Sequence, residues 1–218
     1  QLNGHPTFVG TKDGLGSATP ASATITLNGN AVLRYLVRRT DAIPLATVSA
    51  PPAPTGTRDV TLNTSTDSAG DFHTLRNLTL NSNAAARAIP AGTYGNLTAN
   101  GTSGFILGVD GATTPAIYNL QNLTLNGSSA LQVVGPVVLT LANGVTLNGN
   151  VGSTAHPGWL TLDIASGGLT LNGNITFDGD VVAPTGTVTI NGNSTLTGQV
   201  QSDRLTLNGN ALLNQPTY

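Results

Sequence analysis

One hexapeptide, apolar-Thr-apolar-Asn-Gly-Asn, recurs along the whole chain and limits its fold more than any other feature. It reads ITLNGN at 25–30, VTLNGN at 145–150, LTLNGN at 169–174, VTINGN at 188–193 and LTLNGN at 205–210. Weaker copies are VTLNTS at 60–65, LTLNSN at 78–83, LTANGT at 97–102 and LTLNGS at 123–128, and a truncated QLNGH occupies 1–5. The first Asn of each copy falls at Asn3, Asn28, Asn63, Asn81, Asn100, Asn126, Asn148, Asn172, Asn191 and Asn208, with gaps of 25, 35, 18, 19, 26, 22, 24, 19 and 17. Because 35 is about two of the shorter gaps, a degenerate copy is expected near residue 46.

A period near twenty residues is too short for propeller blades or helical-hairpin repeats and suits one coil of a β-solenoid. Within a copy, the alternation Leu-Thr-Leu predicts a strand with two inward apolar residues about one outward Thr. Asn-Gly then makes the corner, since both residues tolerate positive φ. The fold class expected is all-β, a single-stranded parallel β-helix of about ten coils. If each corner Asn points inward, its amide bonds the next rung and forms a ladder through Asn28, Asn63, Asn81, Asn100, Asn126, Asn148, Asn172, Asn191 and Asn208. The outward column is Thr26, Thr61, Thr79, Thr98, Thr124, Thr146, Thr170, Thr189 and Thr206.

Three regions follow. Residues 1–40 form an N-terminal arm or first coils, 41–57 a Pro-rich strap or hinge with Pro44, Pro51, Pro52 and Pro54, and 58–218 the main solenoid. The prolines bar 41–57 from being a central strand. The insertions at 108–116 and 152–158 read as loops leaving a corner of the coil.

Composition narrows the function classes. The 218 residues contain no Cys, so disulfides and Cys-ligated metal are excluded. Seven Arg and one Lys, at a net charge of −2, are too few for a nucleic-acid or anionic-membrane surface. No apolar run approaches the ~18 residues a membrane span requires. Low charge and no oxidisable sulfur suit a protein exposed outside the cell, and processing from a secreted precursor is expected.

The stretch GLTLNGNITFDGDVVAPTGTVTINGNSTLTGQVQSDRLTLNGNALL (168–213) resembles the NG-repeat β-solenoid domains of bacterial secreted and pilus-associated surface proteins. Residues 116–150 are similar to the region preceding it in those proteins. APTGTVTINGN (183–193) is the most specific element. The resemblance implies a cell-surface location and a structural or adhesive role, and carries over no functional residues. The chain also resembles bactofilins, cytoskeletal β-solenoids that polymerise end to end, although their repeat is Gly-Val-rich rather than Asn-rich.

Chemistry-bearing residues are sparse. Asp178 and Asp180, with Asp163 and Asp203 in neighbouring coils, are the nearest approach to a polysaccharide-cleaving carboxylate cluster, and their Gly-flanked setting reads as turn aspartates. His5, His73 and His156 share no ligand spacing. Asn63, Asn77, Asn96, Asn100, Asn122, Asn126, Asn174 and Asn193 match N-x-S/T, as an Asn- and Thr-rich chain does by composition. The expectation is therefore a non-enzymatic extracellular structural protein without cofactor, self-assembling as a filament or surface layer. Its assembly ends would be Gln1 and Leu2 on one side, with Leu212, Leu213 and Tyr218 on the other, and residues 1–40 could reach a neighbour as in donor-strand exchange. An adhesin for a surface glycan or pilus, an ice-binding module and a polysaccharide-active enzyme are the alternatives.

Overall fold

The structure, a computed structural model, describes residues 45–215 and five N-terminal strands, Leu2–Gly4, Thr7–Val9, Gly16–Ala18, Val32–Leu33 and Val37–Arg39. Asn28, Thr26, Gln1 and Tyr218, together with His5, lie outside the described residues. Every strand pairing among the described residues is parallel. The chain is a β-solenoid.

A long sheet runs in the spatial order Arg58–Leu62, Leu75–Leu80, Gly92–Ala99, Ala116–Leu125, Val137–Leu141, Leu160–Ile164, Asp180–Ile190 and Val200–Gly209, one strand per coil. Val145–Leu147 and Leu169–Leu171 complete the two coils whose long strand is broken. A second sheet stacks Ala86–Ala88, Gly104–Leu107, Ala130–Val133, Asn150–Gly152, Thr176–Asp178, Thr195–Thr197 and Leu212–Asn214. From Arg58 to Asn214 spatial order equals chain order, as in a spring.

The spacing of the Asn-Gly corners is the coil length. Leu62 sits on Leu80, Leu80 on Ala99, Ala99 on Leu125, Leu125 on Leu147, Leu147 on Leu171, Leu171 on Ile190 and Ile190 on Leu207. These steps repeat the sequence gaps between Asn63 and Asn208. Both apolar positions of each repeat point inward: Leu78, Leu80, Leu97, Ala99, Leu125, Leu147, Leu169, Leu171, Val188, Ile190 and Leu207 are all fully buried. A buried Leu contributes roughly 1.5–3 kcal/mol, so each added coil brings its own share of core.

The corner itself is a tight turn. Ser103 N–H donates to Asn100 O (3.3 Å) and Ser194 N–H to Asn191 O (3.3 Å), with Gly101 at φ 67° and Gly192 at φ 71° as the first central residue. Positive φ at that place alone is the II′ arrangement, which Gly adopts without strain. The side chain three residues past the Asn turns inward: Ala84, Ser103, Ser129, Ser194 and Ala211 are buried there, and the larger Val151 and Ile175 take the same place in two coils.

Two features differ from the sequence expectation. Residues 45–57 hold no strand, so the long gap before Asn63 is not a degenerate coil near 46. The segment instead lies across successive coils: Thr57 N–H donates to Thr74 O (3.1 Å) and Gln121 Nε2 to Pro52 O (3.0 Å). The N-terminal strands are also not the first coils of the stack. Leu2–Gly4 lies on Val200–Gly209 and Thr7–Val9 on Leu212–Asn214, beyond the last coil; Val32–Leu33 then lies on Thr7–Val9, and Val37–Arg39 on Gly16–Ala18.

Candidate functional site: asparagine columns and coil edges

The first Asn of each repeat builds a column of amide–amide bonds. Asn81 Nδ2 donates to Asn63 Oδ1 (2.7 Å), Asn100 to Asn81 (3.3 Å) and Asn126 to Asn100 (3.0 Å). Further along, Asn191 Nδ2 donates to Asn172 Oδ1 (2.8 Å), Asn208 to Asn191 (2.8 Å) and Asn3 to Asn208 (2.8 Å). In every pair the later coil donates and the earlier accepts, and Asn3 behaves as the coil after Asn208.

The column does not face the core. Asn63, Asn126 and Asn148 are exposed, and Asn81, Asn100, Asn172, Asn191 and Asn208 are half-buried. The inward ladder expected from the sequence is corrected: strand alternation puts the residue after the second Leu on the same face as the Thr. Asn148 stands apart from the column, with no side-chain hydrogen bond among the described residues. Its corner differs, because Gly149 packs against Ser129 O, where a Cβ would come within 2.0 Å, and a strand begins at once at Asn150.

Two further columns escaped the sequence reading. The second Asn of the Asn-Gly-Asn corner forms one: Asn193 Nδ2 donates to Asn174 Oδ1 (2.8 Å) and Asn210 to Asn193 (2.9 Å). The other runs four residues ahead of the corner, with Asn77 Nδ2 on Asp59 Oδ1 (2.8 Å) and Asn122 on Asn96 Oδ1 (2.7 Å), and Asn143, one residue earlier in its own coil, joins it on Asn122 Oδ1 (3.2 Å). Its signal was present as N-L-T in three consecutive copies, which reads as sequons. The Nδ2 that would carry a glycan at Asn77, Asn100, Asn122, Asn126 and Asn193 is a column donor.

The Thr column is continuous over two stretches. Thr61 pairs with Thr79, Thr79 with Thr98 and Thr98 with Thr124; Thr146 pairs with Thr170, Thr170 with Thr189 and Thr189 with Thr206. Thr61 and Thr146 are exposed and the others half-buried.

The two ends of the 58–215 stack differ. The first coil is covered by residues 63–74. Asp67 receives the Asn63 N–H (2.7 Å), the Thr64 N–H (2.9 Å) and the Thr64 hydroxyl (2.8 Å). These donors, the Asn63 N–H foremost, hold its carboxyl below the usual range. Arg87 Nη2 binds the carbonyls of Thr64 (3.1 Å), Ser65 (2.7 Å) and Asp67 (3.0 Å), while Arg58 Nη2 binds those of Ala69 (2.6 Å) and Asp71 (2.8 Å). The last coil is covered by the chain's own N-terminal strands. Of the expected assembly ends, Leu2 lies on Leu207, while Leu212 and Leu213 lie between the Thr195–Thr197 strand and the Thr7–Val9 strand.

The aspartates do not converge. Buried Asp178 accepts from the Thr154 hydroxyl (3.0 Å), and Asp180 from the Gln199 N–H (2.7 Å). Asp163 faces outward two positions from Thr161, the residue paired with Asp180, and burial raises its pKa. Asp203 is exposed. His73 sits in the loop over the first coil, and His156 stacks on Trp159 with ring centroids 3.9 Å apart. No group of three His or Asp that could hold a metal ion occurs among the described residues. Comparison with protein-family models, curated proteins and solved structures finds no match to this chain.

Proposed function

We propose that the chain is an extracellular structural subunit that associates head to tail with copies of itself, as a filament or surface layer. The observation that carries this reading is the seat of Leu2–Gly4 on Val200–Gly209. Asn3 and Asn208 are 205 positions apart, yet they pair as consecutive coils do. An edge that accepts a strand by backbone bonds and an amide column accepts the same strand from another copy by the same bonds. The one-way donation along the column supports head-to-tail contact, since a reversed partner would bring antiparallel strands and mismatched amides. A sulfur-free, sparsely charged composition suits exposure outside the cell.

Sedimentation velocity over a concentration series tests the proposal. Species should grow with concentration without settling at a dimer. A protein that stays monomeric at its highest soluble concentration, with both end coils protected from hydrogen exchange, contradicts it.

The Thr column supports a second reading, a binding module for a regular lattice such as ice or for a surface glycan or pilus. Thermal hysteresis in the soluble protein would favour the ice reading, and its absence removes it.

A further inference from the structure

We propose that copies join by exchanging their N-terminal arms: Leu2–Gly4 and Thr7–Val9 of one chain complete the C-terminal end of the next chain's solenoid, as strands on Val200–Gly209 and Leu212–Asn214. This rests on the self-assembly reading above and specifies its contact.

The arm carries its own coil strands. Leu2–Gly4 and Thr7–Val9 extend the two sheets, and Val32–Leu33 lies on Thr7–Val9 as the strand of a further coil. It is nevertheless tied covalently to the far end of the rod on which it sits. Nine long-sheet strands separate Arg58–Leu62 from Leu2–Gly4 inclusive, so the arm's seat lies eight coil steps, or ~38 Å, from its point of attachment. The eighteen residues 40–57 between Arg39 and Arg58 reach at most ~60 Å when extended. The strap therefore closes within one chain only by running along the rod. Any neighbouring C-terminal coil within the same reach offers an identical seat.

Two observations favour exchange over plain stacking of ends. The loop 63–74, pinned by Arg58 and Arg87, lies beside Ala86–Ala88, the end strand of the short sheet, so a neighbour cannot continue that sheet there. The strap carries Pro44, Pro51, Pro52 and Pro54, which stiffen it. Its mid-portion is held to the rod by the Gln121–Pro52 hydrogen bond and by the burial of Pro51, contacts that a released strap gives up. Exchange keeps every arm–coil bond of the closed form, and chain order then follows stacking order from copy to copy. The balance is set by concentration against the effective concentration of the tethered arm, on the order of 1 mM for a linker of this kind.

The chain has no cysteine, so introduced thiols are unambiguous. Asn3→Cys and Asn208→Cys are made in separate chains, mixed, refolded together and oxidised. Exchange predicts a covalent mixed dimer at roughly 1% near 10 µM, rising to tens of per cent near 1 mM. The double variant Asn3→Cys/Asn208→Cys in one chain verifies the seat by an internal cross-link at low concentration. A second variant lacking residues 41–50 leaves a strap of eight residues, whose ~29 Å reach is too short to close. In that background the double-cysteine chain should cross-link only between chains.

Internal cross-linking without any mixed dimer at 1 mM, or a shortened chain that stays monomeric and uncross-linked, overturns the exchange. Concentration-dependent filaments that form without the mixed dimer overturn exchange and leave self-assembly standing. Monomers throughout overturn both.

Discussion

Replacing Asn191 by Ala removes a side chain that is both donor and acceptor in the first column. Two 2.8 Å bonds are lost, to Asn172 and from Asn208. Each such bond contributes ~1 kcal/mol net, and water can reach the half-buried partners, so the expected loss is about 1–2 kcal/mol. For a chain of this size that corresponds to a Tm lower by roughly 2–8 °C. Asn148→Ala is the matched control, because it removes the same chemical group at the same repeat position where no column bond exists. An exposed side chain without partners should change stability by less than ~0.5 kcal/mol. Thermal and urea unfolding of the two variants beside the parent chain measure the difference. Equal losses at both sites would mean that the repeat Asn acts through its turn preference alone, and the amide column would contribute nothing.

Further expectations concern the corner, the covered end and one carboxylate. Gly192→Ala places a Cβ 2.6 Å from Gly173 O at φ 71°, whereas Gly173→Ala meets nothing within 4 Å at φ 93°; both carry the strain of a side chain at positive φ, so Gly192→Ala should lower Tm further, and equal shifts would contradict the close coil contact. Arg87→Ala releases three carbonyls over the first coil and should cost about 2–3 kcal/mol, read as faster amide exchange at Thr64 and Leu62 with Ile190 unchanged; uniform acceleration would argue against a local cover. Burial raises the pKa of Asp163, so its contribution is fully present below the unfolded value and is lost as pH rises through the folded one. Asp163→Asn should therefore stabilise the protein at pH 7 and not at pH 3, and a gain of the same size at both would refute that assignment.

The coil period was legible because strand alternation and a corner that requires Gly leave marks at fixed spacing; the steps from Leu62 to Leu207 follow the Asn gaps one by one. Extending the same alternation by one residue places Asn81 or Asn191 outside with the Thr. An inward ladder would require the corner to break that alternation. Asn77, Asn96 and Asn122 were visible at constant offset, but N-x-T is a sequon as well as half a column. The segment NTSTDSAGDFHT (63–74) has no apolar alternation, which marks it as cover rather than coil. The seat of Leu2–Gly4 left no local mark. A repeat that matches every coil equally cannot say which coil it joins, and that choice is fixed only by strap length and by the edge left unpaired.

Cryo-electron microscopy of the protein concentrated to the millimolar range, at a resolution that separates strands, tests the central claim most directly. The account predicts rods in which the asparagine column of one copy's last coil continues at the ~4.8 Å strand spacing onto the arm of the next copy, with that arm traced between copies. Rods that end at each copy, or copies packed side by side with their columns out of line, would contradict it.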